Sequence, residues 1–122
     1  MNTSTRIKIY TYKKCSTCKS ATNWLKRRGH EFNEFAIRDT PPSISELKSM
    51  LAYSNNNIRL LFNSSGQDYR ALNLKEKISK CTERDLILLL SENGNLVKRP
   101  FLLGNDYGLV GFKESLWEMV VK

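Results

Sequence analysis

Ile7, Ile9 and Thr11 alternate with Lys8 and Tyr10, and this period of two in β-forming residues predicts a first strand. Lys13 and Lys14 then make a loop. From Cys18 the period changes. Ala21, Trp24, Leu25 and Arg28 recur at spacings of three and four, so a helix opens at Ser16 or Thr17 and stops at Gly29. Phe32, Phe35 and Ile37 supply the apolar content of a second strand. Strand, helix and strand in this order read as a βαβ unit whose two strands lie parallel.

Pro41-Pro42 breaks the chain, and Ser43-Ile44-Ser45-Glu46 has the spacing of a capping box for a helix through Leu47, Met50 and Leu51. Ile58, Leu60, Leu61 and Phe62 suggest a further short turn, and Ser64-Ser65-Gly66 a loop. Thr82-Glu83-Arg84-Asp85 caps the strongly apolar helix Leu86 to Leu90, which Asn93-Gly94-Asn95 ends. Arg99-Pro100-Phe101-Leu102-Leu103-Gly104 and Leu109-Val110-Gly111-Phe112 read as a hairpin about the turn Asn105-Asp106-Tyr107-Gly108. A closing helix follows from Lys113, with Leu116, Trp117, Val120 and Val121 as its core face. The pattern gives an α/β fold with a mixed sheet: βαβ, helical insert, ββα. We expect one domain over residues 1–122, with 1–40 and 96–122 as its core and 41–95 as the insert.

Composition narrows the setting. The chain has 122 residues and a net charge of +8, which favours acidic or anionic partners over basic ones. The densest basic run, Lys26-Arg27-Arg28, closes the first helix, where cations complement the helix dipole; no specific nucleic-acid contact is expected from it. No window approaches the roughly 18 consecutive apolar residues that cross a bilayer, and the start runs into a strand rather than a signal peptide. A cytoplasmic location without membrane contact is the expectation. Three cysteines, an odd number, in a reducing compartment argue for a transient disulfide over a structural framework.

Cys15-Ser16-Thr17-Cys18 carries the chemistry. Two cysteines three positions apart can close a small disulfide. Placing the first just before a helix start sets unpaired N–H donors and the positive dipole end beside its sulfur, which favours a thiolate. Cys15 is the expected nucleophile and Cys18, one turn further in, the resolving thiol. A zinc site needs about four ligands, and beyond this pair the chain offers only Cys81 and His30, so no metal is expected. Cys81 reads as incidental and His30 as a surface residue after the helix stop. Arg99-Pro100 precedes an apolar strand; the proline is either a cis-proline or an ordinary residue at a strand start. Arg99 can offer a fork of donors to an anionic substrate or to the Cys15 thiolate. Candidate substrate-binding positions are Lys14, Ser16 and Thr17 beside the pair, and Pro100.

Tyr12-Lys13-Lys14-Cys15-Ser16-Thr17-Cys18-Lys19-Ser20-Ala21, with Lys98-Arg99-Pro100 and Val110-Gly111-Phe112 in order, resembles the arsenate reductase-like family, which includes the Spx-type regulators. Ser65-Gly66-Gln67-Asp68-Tyr69-Arg70 and Leu72-Asn73-Leu74-Lys75 extend the resemblance over nearly the whole chain. It implies a thioredoxin-like (glutaredoxin-like) fold in which the proline faces the cysteine loop, glutathione as cosubstrate without a bound cofactor, and glutaredoxin or thioredoxin as partner. In the family's glutaredoxin-coupled reductases a cysteine at the place of Cys15 attacks arsenate and three arginines hold the oxyanion. Arg99 matches one; Asn63 stands where a second belongs, and the third is replaced near Gly111. Two lost charge-assisted contacts amount to about 3–6 kcal/mol, on the order of a hundred- to ten-thousand-fold in affinity. A thiol–disulfide reductase is therefore the first expectation. The alternatives are an Spx-like redox sensor that binds the RNA polymerase α subunit, and an arsenate reductase in which Arg59 or Arg70 replaces a missing arginine.

Overall fold

The computed structural model describes residues 7–121. Strand β1 (Lys8–Thr11) leads through the cysteine loop into α1 (Ser16–Arg27), and β2 (Asn33–Ala36) follows. Helices then fill the chain to β3: α2 (Ile44–Tyr53), a 3₁₀ turn at Ile58–Leu61, α3 (Gln67–Ala71), α4 (Leu74–Lys77), 3₁₀ turns at Ile78–Lys80 and Gly94–Leu96, and α5 (Glu83–Glu92) between those two. The hairpin β3 (Phe101–Leu103) and β4 (Gly108–Val110) precedes α6 (Glu114–Val120). The strands form one sheet in the order β2-β1-β3-β4. Strand β1 is parallel to β2, with Lys8 opposite Asn33, and antiparallel to β3, with Tyr10 opposite Phe101.

Successive side chains of a strand point to opposite faces, so each central strand feeds two cores. Ile7, Ile9, Leu102 and Leu109 pack with Ala21, Trp24 and Leu25 of α1 and Trp117 of α6. Tyr10, Phe101 and Leu103 pack on the other face with Leu47 and Met50 of α2, Leu86 and Leu90 of α5, and Phe62. Glu46 ties the second layer to the sheet. Its carboxylate accepts from Tyr10 Oη at 2.7 Å, Lys8 Nζ at 2.9 Å and the Ser43 N–H at 3.0 Å, while Ser43 Oγ accepts from the Glu46 N–H at 3.1 Å. The capping box read from the sequence is thus also a clamp between α2 and β1.

Two boundaries and two burial assignments differ from the sequence reading. Strand β2 covers only Asn33–Ala36 at the sheet edge; Phe32 and Ile37 lie just outside it, with Ile37 wholly buried. Gly108 belongs to β4, paired with Leu103, and the turn closes earlier through the Gly104 N–H to the Tyr107 carbonyl at 2.9 Å. Leu116 is 42% exposed rather than core, because Trp117 and Val121 take the centre of the buried stripe and leave Leu116 on its rim. His30 is half-buried rather than at the surface, its ring stacked 6.0 Å from that of Trp24. No helix among the described residues is long and apolar enough to cross a membrane.

Candidate functional site

Cys15 is the residue that caps α1. Its backbone is extended, its N–H donates to the Tyr12 carbonyl at 3.0 Å, and its Sγ accepts from the Cys18 N–H at 3.2 Å. Sulfur here does the work that an oxygen of Ser or Asp does at most helix starts. The Ser16 and Thr17 N–H groups, one and two positions into the helix, have no partner among the described residues. A negative charge at this sulfur, or an anion beside it, therefore faces free donors and the positive end of a 12-residue helix.

The two cysteines differ sharply in exposure. Cys15 is half-buried and Cys18 is buried; both are free thiols. Burial pushes the Cys18 thiol up to about 12; its hydrogen bond to Cys15 and the charge there act in the same sense, and the Tyr12 backbone and the Arg99 guanidinium act against them. A partly accessible thiol stands in front of a buried one.

Arg99 projects from the start of β3 toward this pair, with its guanidinium 5.0 Å from the centre of the Tyr12 ring and its Nη1 buried without a protein partner. A buried guanidinium N–H left unpaired is costly, and an anion would satisfy it. The Arg99–Pro100 bond is cis, which decides between the two readings of that proline; Pro100 is buried and its carbonyl accepts from the Gly111 N–H at 2.8 Å. Lys14, Ser16 and Thr17 are exposed around Cys15. Among the described residues no three His, Cys, Asp or Glu side chains converge as a metal site requires.

Other sequence candidates lie apart. Arg59 and Arg70 donate to the carbonyls of Lys75 and Ser65, at 3.3 and 2.9 Å, inside the helical insert. The Asn63 side chain accepts from Ser65. Gly111 has a left-handed φ of +73°, and a Cβ there would touch the Lys98 side chain at 3.4 Å. Cys81 is exposed between α4 and α5.

Two residues at the site escaped the sequence reading. Tyr12 gathers both cysteines through its backbone and both nearby guanidinium groups through its ring and hydroxyl. The second guanidinium is Arg38, whose Nη1 donates to Tyr12 Oη at 2.8 Å with the group 4.9 Å from the ring centre. The parallel register supplied the signal: Thr11 opposite Ala36 carries the residues just beyond both strands, Tyr12 and Arg38, to the same end of the sheet. A groove of about 930 Å³ opens there, walled by the cysteine loop, the end of β2 and the turn after α5.

Comparison with known proteins fits this arrangement. The model of the ArsC family matches residues 10–120. The chain is 43% identical to the uncharacterized protein YusI of Bacillus subtilis, over 90% of this chain and 93% of that one. It is 29% identical to the global transcriptional regulator Spx of Streptococcus mutans, over 83% of this chain and 72% of that one. A crystal structure of a putative ArsC family related protein from Bacteroides fragilis superposes with a TM-score of 0.89 at 37% identity, covering 96% of this chain and 98% of that one. The mixed sheet with helices on both faces is the thioredoxin-like fold that the resemblance implied.

Proposed function

This chain belongs to the ArsC family, and from that premise we propose that it is a thiol–disulfide oxidoreductase in which Cys15 attacks and Cys18 resolves. The observation that carries the reading is the Cys18 N–H donated to Cys15 Sγ at 3.2 Å at a helix start, with the second thiol buried behind the first. The Cys15 thiolate attacks one sulfur of a disulfide R–S–S–R′, forming Cys15–S–S–R. R′–S⁻ leaves and takes a proton from water. Cys15 then carries no charge and accepts no thiol proton, which removes two of the influences that hold the Cys18 proton in place. The Tyr12 backbone and Arg99 still favour a Cys18 thiolate. Cys18 releases its proton and attacks Cys15 Sγ, closing the Cys15–Cys18 disulfide and expelling R–S⁻. Two thiols of the protein have lost two electrons and one disulfide has gained them. Two molecules of glutathione, or the two thiols of a glutaredoxin or thioredoxin, return the pair to its reduced state.

Exposure of the reduced protein to oxidised glutathione tests this. The expected product has one intramolecular disulfide between Cys15 and Cys18 and one remaining free thiol, Cys81, by thiol titration and peptide mapping. A protein that retains three thiols contradicts the proposal.

Similarity to Spx supports a second reading, in which the same disulfide alters a surface recognised by the RNA polymerase α subunit. Under that reading the oxidised and reduced proteins bind the subunit's C-terminal domain unequally. Arsenate as substrate is the weaker case, because Arg59 and Arg70 are held by carbonyls within the insert.

A further inference from the structure

Tyr12 is the first residue beyond the central strand β1, and both neighbouring strands bring an arginine to it. The antiparallel register sets Tyr10 opposite Phe101, and carried on by two residues it sets Tyr12 opposite Arg99. The parallel register sets Thr11 opposite Ala36, so Arg38 reaches the same end of the sheet from the other side. The Arg99 and Arg38 guanidinium groups lie 5.0 and 4.9 Å from the centre of the Tyr12 ring, and Arg38 also donates to the Tyr12 hydroxyl at 2.8 Å. Carboxylates are near: Glu34, Asp39, Asp68 and Glu92 line the groove with Arg38. Glu34 accepts from the Thr11 hydroxyl at 2.6 Å and Asp68 from Asn95 at 3.2 Å. The ion pairs among the described residues are Lys8–Glu46 and Arg28–Glu118, so neither arginine is held by an acid. The attraction of an aromatic face for cations holds them instead.

We propose that Tyr12 is a positioning residue for the thiol chemistry: its ring keeps the Arg99 guanidinium at the cysteine pair, and Arg38 keeps the ring in place. The proposal rests on the thiol–disulfide reading, in which Cys18 must lose its proton to resolve the adduct on Cys15. Burial pushes that thiol up to about 12, and the Tyr12 backbone and the Arg99 guanidinium act against it. Arg99 acts this way only while its long side chain stays in one of many rotamers. Its Nη1 is buried without a partner, so no hydrogen bond from that nitrogen fixes the rotamer. The face of Tyr12 does. A carboxylate in the same place would fix Arg99 as well, but its negative charge would offset the effect of the guanidinium on Cys18. An aromatic ring orients the arginine and leaves its charge to act on the sulfur.

The aromatic disulfide dithiobisnitrobenzoate reads the two steps separately in a Cys81→Ser protein, whose thiols are Cys15 and Cys18. One coloured thionitrobenzoate leaves as Cys15 attacks, and a second as Cys18 closes the Cys15–Cys18 disulfide; the two thiols lose two electrons and the reagent gains them. Tyr12→Leu is expected to slow the second release about threefold, the size of one partly exposed cation–π contact after a more basic sulfur offsets part of the lost thiolate. Tyr12→Phe keeps the ring and is expected to keep most of the rate. Arg99→Gln is expected to slow the release at least as much as Tyr12→Leu, and the double variant no more than Arg99→Gln alone, because Tyr12 acts through Arg99. Should Tyr12→Leu not fold, the exposed substitution Arg38→Gln decides, with a second release slowed about twofold expected and an unchanged one contradicting the proposal. An unchanged second release in folded Tyr12→Leu, equal losses in the Leu and Phe variants, or additive losses with Arg99→Gln overturn the positioning role and leave the oxidoreductase reading standing. A Cys81→Ser protein that never gives a second release overturns both.

Discussion

Replacing Cys15 by serine is expected to lower glutathione-coupled disulfide reduction by at least about a thousandfold, because a hydroxyl at neutral pH supplies almost no anion to attack sulfur. The substitution changes little else. Serine is a good helix cap, so its Oγ takes over the Cys18 N–H that Cys15 Sγ now accepts, and α1 keeps its start. A melting temperature close to that of the unsubstituted protein, together with the lost rate, identifies the effect as chemical. Full activity in Cys15→Ser would remove Cys15 as the nucleophile. Cys81 is not expected to compensate, being exposed in the insert between α4 and α5 rather than on the loop that carries Cys15.

How much of this site was legible beforehand depended on the range of the interaction. The cysteine pair and its helix are local: a period of two gives way to a period of 3.6 within ten residues, and Cys15 stands at the change. The capping box at Ser43 and Glu46 is local as well and was readable from its spacing. Its other half, the bonds from Tyr10 and Lys8, joins residues 36 and 38 positions apart and leaves no trace in periodicity. The same limit hid Arg38, which is 26 residues from Tyr12. Helices α3 and α4 span five and four residues, too few to establish a helical period, and only the family resemblance marked that stretch. Leu116 lies on the rim because a run of apolar residues does not say which of them takes the centre of the stripe; Trp117 and Val121 hold it.

The second large effect concerns stability. Glu46→Ala is expected to cost about 2–3 kcal/mol at pH 7, the sum of a lost capping interaction and a charge-assisted hydrogen bond to a half-buried hydroxyl. The Lys8 end is half-exposed, with 47% of that side chain accessible, and contributes little to this figure. The loss has a defined pH dependence. Burial by itself would raise the Glu46 carboxyl, but the Ser43 N–H, the Tyr10 hydroxyl and Lys8 outweigh it and hold the group below its usual value of 4.5. A carboxyl lowered on folding stabilises the folded state fully above that usual value, and the contribution disappears as pH falls through the folded value. The difference in unfolding free energy between the two proteins, measured by denaturant titration, should therefore be constant from pH 7 to about 5 and shrink below about pH 4. A difference that grows in acid would show that Glu46 is not held as an anion. Tyr10 bears on the alkaline side: burial first, then Glu46, pushes its hydroxyl up, so the bond persists past the pH at which a free tyrosine ionises.

The central claim is the division of labour between the two cysteines, and one species reports on it directly. In Cys18→Ala the attack by Cys15 proceeds and the resolving step cannot. After treatment with oxidised glutathione, intact mass and peptide mapping should find a stable glutathione adduct on Cys15, removed by added dithiol, whereas the unsubstituted protein passes on to the Cys15–Cys18 disulfide. An adduct on Cys81 alone, or none on Cys15, would contradict the account.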